Sequence, residues 1–269
     1  MQLPSITELT EKAKIAFKRF PITLIWAIVG TVYCMYLLED TSSNRLDDNA
    51  DVLMTLILGV SWLIGIQFFI EQLKDQKKWL WLKLVGLGLL FAFFWYMPTK
   101  GDDLGNNPEF LIRFALFFLA GHLFVLFAPF ALKWDKAAYW NYLKSMGAAI
   151  GRSIFFSGVL YLGLVLALVA ITALFEVEIK GERYGQLFIF CLGIVNTWIY
   201  LSDFPKNVHD DRVIGFHRAL EVFVKYILIP LVLLYLIILY AYGFKILFEW
   251  ELPKGWVSYL VTALALLGF

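Results

Sequence analysis

Between Lys225 and Lys245 the chain runs for nineteen residues without a charge, as YILIPLVLLYLIILYAYGF. A helix needs about 20 such residues to cross a hydrocarbon layer roughly 30 Å thick. The flanking lysines can bury their stems and send their ammonium groups out to the headgroups. Pro230 is placed in the first turns of that helix, where a missing N–H costs least. The other long apolar runs are then read as helices packed around spans of this kind.

Composition supports a membrane rather than a water-soluble class. Hydrophobic residues make up 61% of the 269 and aromatic residues 18%, against roughly 45–50% apolar usage in soluble domains. A net charge of +1, with no dense basic tract, argues against a nucleic-acid partner. Both cysteines, Cys34 and Cys191, fall inside apolar runs. They make neither a disulfide framework nor a CxxC zinc site, and no cofactor is indicated.

Residues 1–21 lack the apolar core of a signal peptide. Ser5, Ile6, Thr7 and Glu8 have the spacing of a capping box. Ile6, Leu9, Ala13, Ala16, Phe17 and Phe20 share a helical face, with Lys12, Lys14, Lys18 and Arg19 beside it. This pattern predicts an amphipathic helix on the cytoplasmic membrane surface; a solvated helix packed on the protein's own loops is the alternative. Residues 22–269 are read as an all-α polytopic bundle. Seven full spans are expected at 22–38, 52–70, 79–97, 110–132, 154–175, 187–201 and 226–248. An eighth apolar run begins at Trp256 and reaches Phe269. Its fourteen residues would rise about 21 Å, short of the ~30 Å core. The expectation is therefore the front part of a longer protein, with a half-span tail as the alternative.

The charge distribution sets an orientation. Fifteen Lys and Arg residues fall in segments on the amino-terminal side and five on the other, which predicts a cytoplasmic amino terminus. The opposite loops are acidic, with Glu39, Asp40, Asp47, Asp48 and Asp51 in the first. Lys83, Arg113 and Lys245 lie near span ends, where snorkelling accounts for them.

Every carboxylate falls outside the expected spans, which argues against a proton- or sodium-coupled carrier with a mid-membrane acid. Carriers that use hydroxyls and broken-helix backbone remain compatible. No HExxH, GxSxG or Walker sequence is present, so the familiar hydrolase and nucleotide chemistries lack their motifs. His122 is placed mid-span after Gly121, with Pro129 seven residues on to free a carbonyl. It is a candidate for ligand binding or proton relay, with an uncharged histidine bonded across helices as the simpler reading. Asn196, mid-span in the sixth run, is its expected partner; such contacts contribute only ~0.6–2 kcal/mol, so the pair could be glue as readily as a site. The connection 202–225 gathers His209, Asp210, Asp211, His217 and Glu221. His217 and Glu221 share a helix face at i, i+4, yet no third ligand has a defined spacing, so a solvated loop is the simpler reading. Gly147 and Gly151 form a small-xxx-small pair of the kind that lets helices approach.

Four patches carry a resemblance: Arg19-Phe20-Pro21, then Lys225-Tyr226-Ile227-Leu228-Ile229-Pro230-Leu231, then Ile238-Leu239-Tyr240-Ala241-Tyr242, then ELPKGWVSYL over residues 251–260. Together they resemble a bacterial family of polytopic inner-membrane proteins, domain of unknown function 4153. The resemblance implies a multi-pass protein of the bacterial cytoplasmic membrane that continues through further helices. It assigns no catalytic residues.

The expected function is an integral inner-membrane protein, permease-like, handling a small or lipidic solute near His122 and Asn196. The alternative is a non-catalytic scaffold or assembly partner, with the bilayer, a second membrane protein or further copies of itself as partners. A membrane enzyme using His209, His217 and the neighbouring Asp residues is the least supported reading.

Overall fold

The computed structural model describes residues 14–39, 45–96, 108–204, 223–249 and 262, and no strand occurs among them. Residues 14–19 are helical and lead through Phe20 into α1, Pro21–Leu37. Proline at the first helical position has no N–H to strand there, and its fixed φ suits the turn. The further helices are α2, Ala50–Glu71; α3, Trp81–Tyr96; α4, Pro108–Phe127; and α5, Lys136–Phe175. Then α6, Gly181–Phe190, passes through a π-helical turn, Cys191–Asn196, into α7, Thr197–Ser202. A second π turn, Val224–Leu228, leads into α8, Ile229–Glu249.

Among the described residues, six helical stretches are long and apolar enough to cross a membrane. The first expected span, at 22–38, is the 17-residue α1, which rises only about 25 Å. The apolar run 256–269 lies outside the described residues, apart from Val261's neighbour Thr262.

The largest departure from the sequence reading is α5. Expected to start at Ile154, it starts at Lys136 and runs for 40 residues. Asp135 caps it, its carboxylate accepting from the N–H of Ala137 at 2.9 Å and of Ala138 at 3.1 Å, which satisfies two orphan donors of the first turn. At 1.5 Å per residue the helix is about 60 Å long, twice the hydrocarbon thickness. Crossing near the bilayer normal, a helix of that length extends beyond the core. It ends where Glu176 turns left-handed at φ 57°.

Pro230 explains the second π turn. Without an N–H, and with its ring against the carbonyl four residues back, it forces the preceding turn open. Ile229 accordingly donates to Val224, five residues away.

The helix α2 is central: half of its span is buried, against 11% for the stretch containing α3. Phe20, Leu24, Ile64, Phe68, Val125, Phe130, Tyr142, Leu201 and Phe204 form one core. That core joins α1, α2, α4, the start of α5 and the end of α7 at one end of the bundle. A second core sets Ala167, Ala170 and Leu174 of α5 against Tyr235, Ile238 and Tyr242 of α8. Between them, Phe156 packs with Phe223, Ile227 and Leu231.

Small residues mark the close approaches. A Cβ on Gly121 would stand 2.5 Å from Ser61 Oγ and 2.8 Å from the Trp62 indole nitrogen, so only glycine lets α4 lie this close to α2. Gly121→Val is expected to lower stability by about 1–3 kcal/mol through overpacking. A thermal melt in detergent that matches wild type would contradict this packing. Gly147 and Gly151 face open space instead. The glycine approach of α5 to α8 occurs at Gly163, whose Cβ would meet Leu231 at 2.5 Å.

Candidate functional site

His122 sits on an exposed face of α4, its ring 4.2 Å from that of Phe118. Its Nδ1 lies 2.8 Å from the Phe118 carbonyl oxygen. A carbonyl only accepts, so Nδ1 carries the proton in this contact. No hydrogen bond joins His122 to Asn196, and each has a different partner.

Asn196 ends the first π turn. A π turn holds one residue more than the α-helical ladder requires, and such turns recur at functional sites. Here the widened backbone lies against α1, where a Cβ on Gly193 would collide with the Thr31 side chain. Asn196 Oδ1 is 3.5 Å from Ser157 Oγ on α5. The Ser157 hydroxyl makes its shorter bond, 2.7 Å, to the Ser153 carbonyl, so the serine is already satisfied and the amide is only loosely held. Asn196 Nδ2 donates to no group among the described residues. Elsewhere in the bundle Trp198 Nε1 and Tyr226 OH are buried with no hydrogen-bond partner among the described residues. Orphaned donors of this kind are rare in folded interiors.

Pro129 does free a carbonyl, that of Val125 four residues back, and the Tyr142 hydroxyl takes it at 2.8 Å. The feature expected to loosen the helix beside His122 is thereby closed by α5.

The polar assembly that sequence reading missed lies at the same end. Arg19 grips Glu71 with two bonds, Nε to Oε1 at 2.9 Å and Nη2 to Oε2 at 2.8 Å. Gln67 Nε2 adds a third bond to Oε1 at 2.9 Å. The guanidinium lies over the rings of Phe20 and Phe68, 5.1 and 5.4 Å from their centroids. Only 13% of the Arg19 side chain and 17% of the Glu71 side chain are exposed. Gln67 Oε1 is buried without a partner. A second pair, Arg152 Nε to Asp203 Oδ2 at 2.6 Å, ties α5 to the end of α7. Both pairs bind residues far apart in the chain, so neither has a local sequence signature.

His209, Asp210, Asp211, His217 and Glu221 lie outside the described residues. Among the described residues no three His, Cys, Asp or Glu side chains converge as metal ligands. Cys34 and Cys191 are free thiols.

A family model described as Domain of unknown function (DUF4153) matches residues 27–269. An uncharacterized protein of Pasteurella multocida is 25% identical over 267 residues, covering 98% of this chain and 42% of that protein. The chain thus spans less than half the length of the curated relative it matches. No solved structure matches it. The matched residues take in α2 to α8, both π turns and three of the four patches quoted above, and on that extent the chain belongs to the DUF4153 family.

Proposed function

We propose that the chain is a permease-like unit handling a small or lipidic solute in a bacterial inner membrane, with its amino terminus in the cytoplasm. The observation that supports this reading is the half-buried Asn196 amide at the π turn, whose one hydrogen bond among the described residues is the 3.5 Å contact to Ser157, its nitrogen donating to none of them. In a membrane interior an unused donor costs free energy unless something accepts from it. A solute carbonyl, hydroxyl or phosphate ester oxygen would do so. The π turn supplies the irregular backbone that transporters use near their binding sites. The function is thereby centred on Asn196 and Ser157, and His122 stands apart as an outward-facing imidazole.

Native mass spectrometry of the extracted full chain tests this. The wild type is expected to retain a small-molecule adduct that Asn196→Leu loses, while both variants melt within a few degrees of each other. Absence of any adduct in the wild type, or an adduct unchanged in Asn196→Leu, would overturn the reading in favour of a scaffold.

A further inference from the structure

We propose that the entrance to α3 is a docking site for an anionic phospholipid of the surrounding leaflet. The connection from α2 to α3 holds Lys74, Lys77 and Lys78, with Lys83 one turn into the helix, against the single Asp75. Gln76–Trp79 folds as a 3-10 turn, and Gln76 Nε2 donates to the Glu71 carbonyl at 3.3 Å. This fixes the lysines just beyond the end of α2. Lys74, Lys77 and Lys78 are all exposed. Lys78 reaches Asp75 at 3.2 Å, but the two side chains are 79% and 65% exposed, and a pair so wet contributes little and exchanges readily. Lys74 and Lys77 form no ion pair among the described residues.

The apolar half of the site follows directly. Trp79 and Trp81 stand with ring centroids 6.0 Å apart and both exposed, the placement of indoles at a headgroup boundary. Below them Leu84, Leu89 and Phe91 are exposed on α3, and a Cβ on Gly88 would meet nothing within 4 Å. The missing side chain at Gly88 leaves the surface open between Leu84 and Phe91, one turn to either side. Ten residues separate Lys78 from Gly88, a rise of about 15 Å, which is the depth of one leaflet. A phosphate at the lysines would therefore carry its acyl chain past the tryptophans and over the glycine.

The charge selects the occupant. A second copy meeting this face about a two-fold axis would set lysines against lysines, which is repulsive. A choline headgroup would add its own cation to the cluster. An anionic headgroup complements it.

The test uses the full chain in non-ionic detergent, offered phosphatidylglycerol and phosphatidylcholine in equal amounts and read by native mass spectrometry. Wild type is expected to bind phosphatidylglycerol preferentially by about tenfold or more. The variant Lys74→Gln/Lys77→Gln/Lys78→Gln is expected to bring the two lipids to near parity. Lys133→Gln/Lys136→Gln/Lys144→Gln, which removes the same charge at the other basic connection, is expected to keep the preference. Preference retained in the first variant, or lost equally in the second, would overturn the assignment. All six lysines are exposed, so the variants keep the fold.

Discussion

Replacing Glu71 with Leu is expected to cost about 3–5 kcal/mol, the largest effect of any single change at the polar end of the bundle. The loss does not measure the strength of the pair. It measures what remains, a guanidinium enclosed by Phe20 and Phe68 with its bidentate acceptor gone. The mirror change, Arg19→Met, strands the carboxylate between Gln67 and the core and is expected to cost a similar amount. The double variant Arg19→Met/Glu71→Leu should recover most of the loss, because two desolvated charges are then replaced by apolar groups of similar volume. Equilibrium unfolding in detergent of the four proteins closes the cycle. Single changes that each cost less than about 1 kcal/mol would mean the pair behaves as a wet surface contact, contrary to its burial.

The second large effect is expected at Tyr142. Its hydroxyl donates to the Val125 carbonyl at 2.8 Å, the acceptor that Pro129 cannot serve. Val125 and Tyr142 are both buried, so Tyr142→Phe leaves that carbonyl without its side-chain donor and without water. The expected cost is about 1–3 kcal/mol. Pro129→Ala restores an N–H to the turn and should shrink the cost of Tyr142→Phe when the two are combined. Additive effects across this cycle would show that the hydroxyl and the proline act independently and that the capping account is wrong.

Much of the architecture is written in the sequence because the bilayer penalises a charge wherever it falls. The uncharged run before Lys245 and its counterparts can hardly be anything but buried helices. What escapes that reading is helix continuing in polar sequence. Residues 136–153 carry Lys136, Lys144 and Arg152 and so look like a connection, yet Asp135 starts a helix that nothing interrupts. The π turn at Cys191–Asn196 is equally silent, since one residue of extra winding barely alters the apolar pattern. At the candidate site, Asn196 and Pro129 stand out as anomalies in apolar runs. Their partners Ser157 and Tyr142 do not, because pairing across helices depends on which faces meet. The Arg19–Glu71 clamp was hidden for the same reason, its members lying 52 residues apart.

The length of α5 gives the bundle a lever. One rigid rod carries Tyr142, fixed in the core at one end, and Leu174, packed on α8 toward the other, with Ser157 near its midpoint. A tilt of about 5° around Ser157 would swing each tip by roughly 2–3 Å, given the 1.5 Å rise per residue. That is enough to unseat a 2.8 Å hydrogen bond. A displacement at the middle of the rod is thereby felt at both of its ends.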